Sequence, residues 1–189
     1  MRDDRELVRA HLRGDRTAFA ALVERHQRRV YNVAYGMLGR PEDAADATQD
    51  VFLACLRKLA GYRGDAAFTT WLHRVTVNAC HDALRKRARE QPAREGDPDP
   101  PEEMAPDPAD AAVAAADVRR ALAAVPEEFR AAVVLHDLRG LPYEEVAEIL
   151  GAPVGTVKSR IHRGRVAMAR ALHGEPARPP RPSNAREAT

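Results

Sequence analysis

Apolar residues recur at three- and four-residue steps through most of this chain, the spacing that gathers side chains on one face of a helix. Asp4 to Leu12 reads as a short helix closed by Gly14. Asp15 or Thr17 then offers an N-cap for a longer helix, whose stripe of Phe19, Leu22, Val23, His26, Val30, Val33, Ala34 and Met37 runs until Gly39. Pro41 suits a first helical turn and opens a third helix reaching about Ala60. The glycines of Gly61 to Ala67 mark a loop, and a fourth helix follows from Phe68 to roughly Arg89. No segment alternates polar and apolar residues as a strand would, so this lobe is expected to be all helical.

The pattern then breaks. Residues 91–110 hold six prolines and seven acids, a composition that forms no packed element and predicts an extended connector. Its greatest reach is on the order of 60 Å at the rise of a polyproline chain. Helical spacing resumes in an alanine-rich stretch from about Ala112 to Ala124, continues after Pro126 to Leu138, and ends in a helix pair from Leu141 onward. From Gly174 the Pro/Arg-rich tail is expected to be disordered. The expected fold class is therefore all-α: two small helical domains, residues 1–90 and 112–173, joined by an acidic linker at 91–111 and followed by a tail at 174–189.

Charge supports that division. The formal net charge of +2 conceals 17 basic against 12 acidic residues in 1–91, 1 against 7 in 92–116, and 9 against 7 in 117–173. Both lobes are basic and the connector is acidic. The amino terminus alternates charge without an apolar centre, and no apolar run approaches membrane-spanning length, so a cytoplasmic protein without membrane insertion is expected. Cys55 and Cys80 lack C-x-x-C spacing and sit in apolar settings, which predicts two buried reduced thiols. Arg supplies 27 of the 30 basic residues, a bias that goes with a GC-rich bacterial genome.

The segment LPYEEVAEILGAPVGTVKSRIHRGRVAMAR, Leu141 to Arg170, is a helix, a glycine-marked turn and a second helix. Val146, Ala147 and Leu150 form the inward stripe of the first, and Gly151 takes the turn. Val154, Val157, Ile161, Met168 and Leu172 continue the stripe along the second. Between Gly151 and His173 there is no acid, while Thr156, Ser159, Arg160 and Arg163 face outward, flanked by Lys158 and His162. Such a helix offers guanidinium and ammonium groups to guanine edges in a major groove. A basic helix face can also simply be solvated, but turn, charge segregation and apolar register together favour DNA binding.

Two faces of the first lobe stand out. Asp43, Asp46 and Asp50 share one side of the third helix beside Gln49. On spacing alone an ordinary solvated acidic stripe is the favoured reading, and no converging ligand set supports a metal. On the fourth helix Trp71, Arg74, Asn78, His81 and Arg85 repeat at helical steps opposite a stripe of Leu72, Val75, Ala79 and Ala83. Ring, guanidinium and carboxamide together suit unstacked bases and their phosphates, although Trp71 alone fits equally well as a core anchor. The order of His73, Cys80 and His81 does not place three metal ligands on one side.

Taken together, EDAADATQDVFLACLRKLAGYRGDAAFTTWLHRVTVNACHDALR and LPYEEVAEILGAPVGTVKSRIHRGRVAMARAL resemble the two conserved domains of bacterial RNA polymerase sigma factors of the extracytoplasmic-function group, nearest the actinobacterial SigM-like subgroup. The resemblance implies a region 2 helical bundle and a region 4 helix-turn-helix. It places Asp46, Gln49, Asp50 and Phe52 where the family docks on the coiled coil of the polymerase β′ clamp. It makes Arg63, Phe68, Thr70, Trp71, Arg74 and Asn78 contacts to the minus 10 element and its flipped base, and Thr156, Lys158, Ser159, His162 and Arg163 contacts to the minus 35 element. It also sends the acidic linker through the polymerase cleft and implies an anti-sigma partner.

The expectation is thus a promoter-specificity subunit that binds core RNA polymerase and promoter DNA, with no enzymatic activity, cofactor, metal or small-molecule substrate. The rivals are a free-standing helix-turn-helix regulator, which would dimerise on a palindromic operator, and, more remotely, a metal-dependent hydrolase built on the acidic helix.

Overall fold

The computed structural model describes residues 2–90 and 117–173; the connector, the start of the alanine-rich helix and the tail expected from Gly174 lie outside them. The first lobe is α1 (Asp4–Leu12), α2 (Arg16–Leu38), α3 (Pro41–Lys58) with a 3-10 turn at Leu59–Gly61, and α4 (Phe68–Glu90). The second is α5 (117–123), α6 (Glu127–Val133), α7 (Tyr143–Leu150) and α8 (Val154–Leu172). No strand occurs among the described residues.

Local chemistry sets the helix ends. Asp3 and Glu6 form a reciprocal capping box, with the Glu6 amide donating to Asp3 Oδ1 at 2.7 Å and the Asp3 amide to Glu6 Oε2 at 2.9 Å. Asp15 caps α2 by accepting from the Thr17 amide at 3.0 Å. Hydrogen bonds from Thr17 and then Arg2 hold its carboxyl below the usual range. Gly39, at φ 77°, lets α2 end in a left-handed turn.

The helix expected to run to Leu138 changes form part-way. After Val133 it widens into a π-turn over Val134–Leu138. Ala131 to Leu135 are five consecutive buried residues, more than one face of an α-helix can hide. The segment is enclosed from two sides, and both neighbours present a glycine. A Cβ on Gly36 of α2 would stand 3.1 Å from both Val134 methyls, and one on Gly164 of α8 would collide with Val133 Cγ2.

The lobes are consequently packed together. One apolar cluster, including Leu22, Val30, Val51, Leu59, Phe68 and Leu72, lies wholly within the first lobe. The other joins Val33, Met37, Val77 and Cys80 of the first lobe to Val133, Leu135, Val146 and Ile161 of the second. The sequence left lobe packing open; a shared core closes it. Arg130 reinforces the seam. Its guanidinium donates to the Met37 carbonyl across the seam at 2.8 Å and to the Ala123 carbonyl at 2.9 Å, and burial lowers its pKa.

Lobe packing also widens the buried part of α4. The expected stripe of Leu72 and Val75 is buried, but Ala79 and Ala83 are only half-buried. Thr70, His73, Thr76, Val77 and Cys80 are buried as well, because α4 is covered by the first lobe on one side and the second on the other. Both thiols are free and buried, and burial pushes each up to about 12, so neither is poised for redox or metal chemistry.

Candidate nucleic-acid interface

The helix-turn-helix is built as its spacing predicts at the turn: Gly151 adopts φ 59°, a left-handed conformation that favours glycine. Val157, Ile161 and Gly164 point inward along α8, pressing it on α6. Leu172, expected in the stripe, is instead half exposed, one turn beyond the last neighbour. Leu150 is only half-buried, and Ile149 takes the buried place beside Val146 and Ala147.

Ser159, His162 and Arg163 are exposed on the outward line of α8, and Thr156 is half-buried at its amino-terminal end. The Ser159 hydroxyl donates to the Thr156 carbonyl at 2.9 Å. Lys158 is exposed on a flank, its ammonium 5.3 Å from the Tyr143 ring centre, while the Arg163 guanidinium lies 5.7 Å from that of Phe129. Ring faces hold both cations in place with only modest attraction, leaving donors free for an incoming ligand. Arg165 is committed elsewhere: it forms a two-pronged bridge to Asp137, which anchors α8 to the π-turn and raises the arginine pKa. Val166 shares the outward line, an exposed apolar residue that the polar reading passed over.

On the first lobe, the 61–66 loop and α4 border a cleft of about 310 Å³ whose walls include Tyr62, Arg63, Trp71 and Arg74, with Glu148 of α7 at its edge. Tyr62 and Trp71 stand 5.5 Å apart, and Phe68 supports both from beneath at 5.8 and 5.6 Å. The Tyr62 hydroxyl donates to the Ala66 carbonyl at 2.8 Å and braces the loop. Aromatic edges beside two guanidiniums make a receptacle for a flat, electron-rich ring carried on an anionic backbone.

The six residues expected at this surface therefore separate. Arg63, Trp71 and Arg74 line the cleft. Phe68 is 4% exposed and belongs to the core, a correction that follows from its place at the first turn of α4, facing α2 and His26. Thr70 is also 4% exposed, because α7 covers it. Asn78 is exposed, one turn along α4 beyond Arg74. Tyr62 was missed, although an aromatic between two loop glycines was a legible signal.

The acidic line on α3 is open. Asp46, Gln49 and Asp50 are exposed, whereas Asp43 is drawn toward Arg87 at 3.6 Å. Phe52 is half-buried against the first-lobe core and lies off that line. Leu53, 53% exposed, occupies the line instead, three residues beyond Asp50, with Leu56 next to it. Two exposed leucines beside carboxylates make this face amphipathic. Among the described residues no three His, Cys, Asp or Glu side chains gather as a metal site, and no helix is long and apolar enough to cross a membrane.

Comparison with known proteins adds a family to this geometry. Sigma-70 region 2 matches residues 22–90, and sigma-70 region 4 matches residues 115–168. The chain is 43% identical over 173 residues to the ECF RNA polymerase sigma factor SigM of Mycobacterium tuberculosis, covering 90% of this chain and 85% of the relative. Among solved structures it is similar to CnrH in complex with the cytosolic domain of CnrY, with a TM-score of 0.69 and 26% identity over 92% of this chain and 99% of the other. It is also similar to the sigma factor RpoE in complex with the anti-sigma factor NepR from Bartonella quintana, with a TM-score of 0.66 and 26% identity over 82% and 96%.

Proposed function

We propose, from the premise that this chain belongs to the ECF RNA polymerase sigma factors, that its three exposed surfaces divide the work of promoter recognition. Its function is that of a sigma factor in transcription initiation. The α3 strip docks on the polymerase β′ clamp, the outward line of α8 reads the minus 35 element, and the Trp71 cleft receives a base of the melted minus 10 strand. The observation carrying this assignment is the aromatic and guanidinium-lined cleft on the same lobe as the amphipathic α3 strip. A ring-sized receptacle serves single-stranded bases, and a basic helix serves a duplex groove. The protein works in the cytoplasm with polymerase, performs no catalysis of its own, and is held in check by an anti-sigma partner.

Run-off transcription from a panel of promoter fragments, with purified core polymerase and with or without this chain, tests the assignment. Transcripts that require both components support it. Tight duplex binding without polymerase-dependent initiation would establish a free-standing regulator instead.

Three substitutions probe two separate surfaces. Asp50→Ala and Leu53→Ser should each weaken core-polymerase binding about tenfold, as truncation at the centre of a docking strip does. Unchanged affinity in a polymerase titration would remove α3 from the interface. Arg163→Ala should cost roughly 1 to 3 kcal/mol of minus 35 recognition if its guanidinium contacts a base edge in two-pronged fashion. An equal loss on all promoter sequences would show a phosphate contact.

A further inference from the structure

Where the lobes meet, the end of α2 faces α5 and the π-turn across an open cavity of about 250 Å³. Its floor is apolar: Met37, Leu38 and Leu122 line it and are buried. Val118 and Leu138 carry the apolar surface outward, exposed at 37% and 42%. Hydrophobic walls with a few convergent polar groups are the usual form of a small-molecule site, and this volume lies below the roughly 300 Å³ at which drug-sized pockets begin. The space therefore suits a short body.

The charged groups here share one sign. Arg119, Arg130 and Arg139 line the cavity, and no Asp or Glu does. Arg130 directs its donors to the main-chain carbonyls of Met37, Ala123 and Val125, which supply no counter-charge. Arg139 Nε is buried and has no hydrogen-bond partner. Burial raises the pKa of the Tyr35 phenol in the same wall, and Arg119 opposes that more strongly than Glu42 adds to it, so the local field is positive. These features select an occupant. A plain hydrocarbon would leave the guanidiniums uncompensated. Inorganic phosphate or a nucleotide would press polar oxygens against Met37, Leu38 and Leu122 without partners. A carboxylate on a short apolar body satisfies both halves, because guanidinium and carboxylate pair through strong charge-assisted hydrogen bonds.

We propose that this seam cavity binds a small amphipathic carboxylate, a short-chain alkyl or single-ring acid, with its apolar body on the floor made by α2 and α5 and its head among Arg119, Arg130 and Arg139. The site stands apart from the surfaces assigned to polymerase and promoter, since Asp50, Leu53, Trp71 and Arg163 are not among its lining residues. Because both lobes supply its walls, a bound acid stabilises the joined, folded chain and makes its melting temperature depend on ligand concentration.

The test uses the full-length chain without polymerase. Sodium octanoate is the probe, followed by isothermal titration calorimetry and by thermal unfolding; octanamide, which has the same chain and a neutral head, and inorganic phosphate are the comparisons. Octanoate should bind saturably at one site per chain and raise the melting temperature, while octanamide and phosphate should each bind at least about tenfold more weakly. Arg119→Gln and Arg139→Gln should each weaken octanoate binding about tenfold. Arg120→Gln, on the same helix as Arg119 but outside the cavity, should bind as the natural chain does. Three results would overturn the proposal: no saturable octanoate binding, octanamide binding as tightly as octanoate, or an equal loss in Arg120→Gln. The octanamide comparison is made on the natural chain, so it decides the matter even where a variant folds poorly.

Discussion

Gly164→Leu should cost the protein about 3 kcal/mol or more, the upper end of what overpacking a filled core does. Gly164 lies on the inward side of α8, where even a Cβ would overlap Val133, itself fully buried, with Val125 and Phe129 next in line. Val133 cannot retreat, because Val134 and Leu135 beyond it are packed against the first lobe. The strain therefore reaches the shared core, and thermal unfolding should shift down by about 10 °C in a chain of this size. Gly155→Leu is the control on the same helix. No atom lies within 4 Å of its added Cβ, so its melting temperature should be near that of the natural chain. A Gly164→Leu protein that melts within about 2 °C of the natural one would show that α6 and α8 are less tightly joined than described.

Acidification should destabilise the protein through His73. The ring is 3% exposed and neither nitrogen has a hydrogen-bond partner. Burial pushes its pKa down to about 4 from 6.5, with Arg29, Arg139 and His26 adding repulsion. The folded chain thus keeps His73 neutral where the unfolded chain would protonate it. Stability is complete above pH 6.5 and falls as pH drops toward 4. The shift corresponds to about 3 kcal/mol lost over that interval. Urea denaturation of the natural chain and of His73→Leu at neutral pH and near pH 4 measures the difference. Groups remote from His73 contribute alike to both proteins and drop out of the comparison. Parallel loss of stability in both would remove His73 as the source.

The exposure of several candidate residues was legible because it follows from local spacing. Ser159, His162 and Arg163 face outward since Val157 and Ile161 must face in, and helical periodicity alone sorts them. Asp46, Gln49 and Asp50 follow the same logic on α3. Phe68 and Thr70 were not legible. One is buried by its own lobe and the other by a helix about seventy-five positions away, and no spacing rule reports either event. Leu53 escaped notice for the opposite reason: an apolar residue in a helix is expected inside, and only the packing of α3 left it outside.

Helix positions, caps, the Gly151 turn and the charge on α8 are consequences of neighbouring residues, and the amino-acid order determined them. Whether the lobes join, why the helix after Pro126 widens at Val134, and which α4 side chains reach solvent were decided only in three dimensions. Gly36 and Gly164 show the reason. Each looks in sequence like a weak point in a helix, yet each is the space into which a valine from a distant segment fits. Close packing depends on the shape of both partners, and a local pattern carries only one of them.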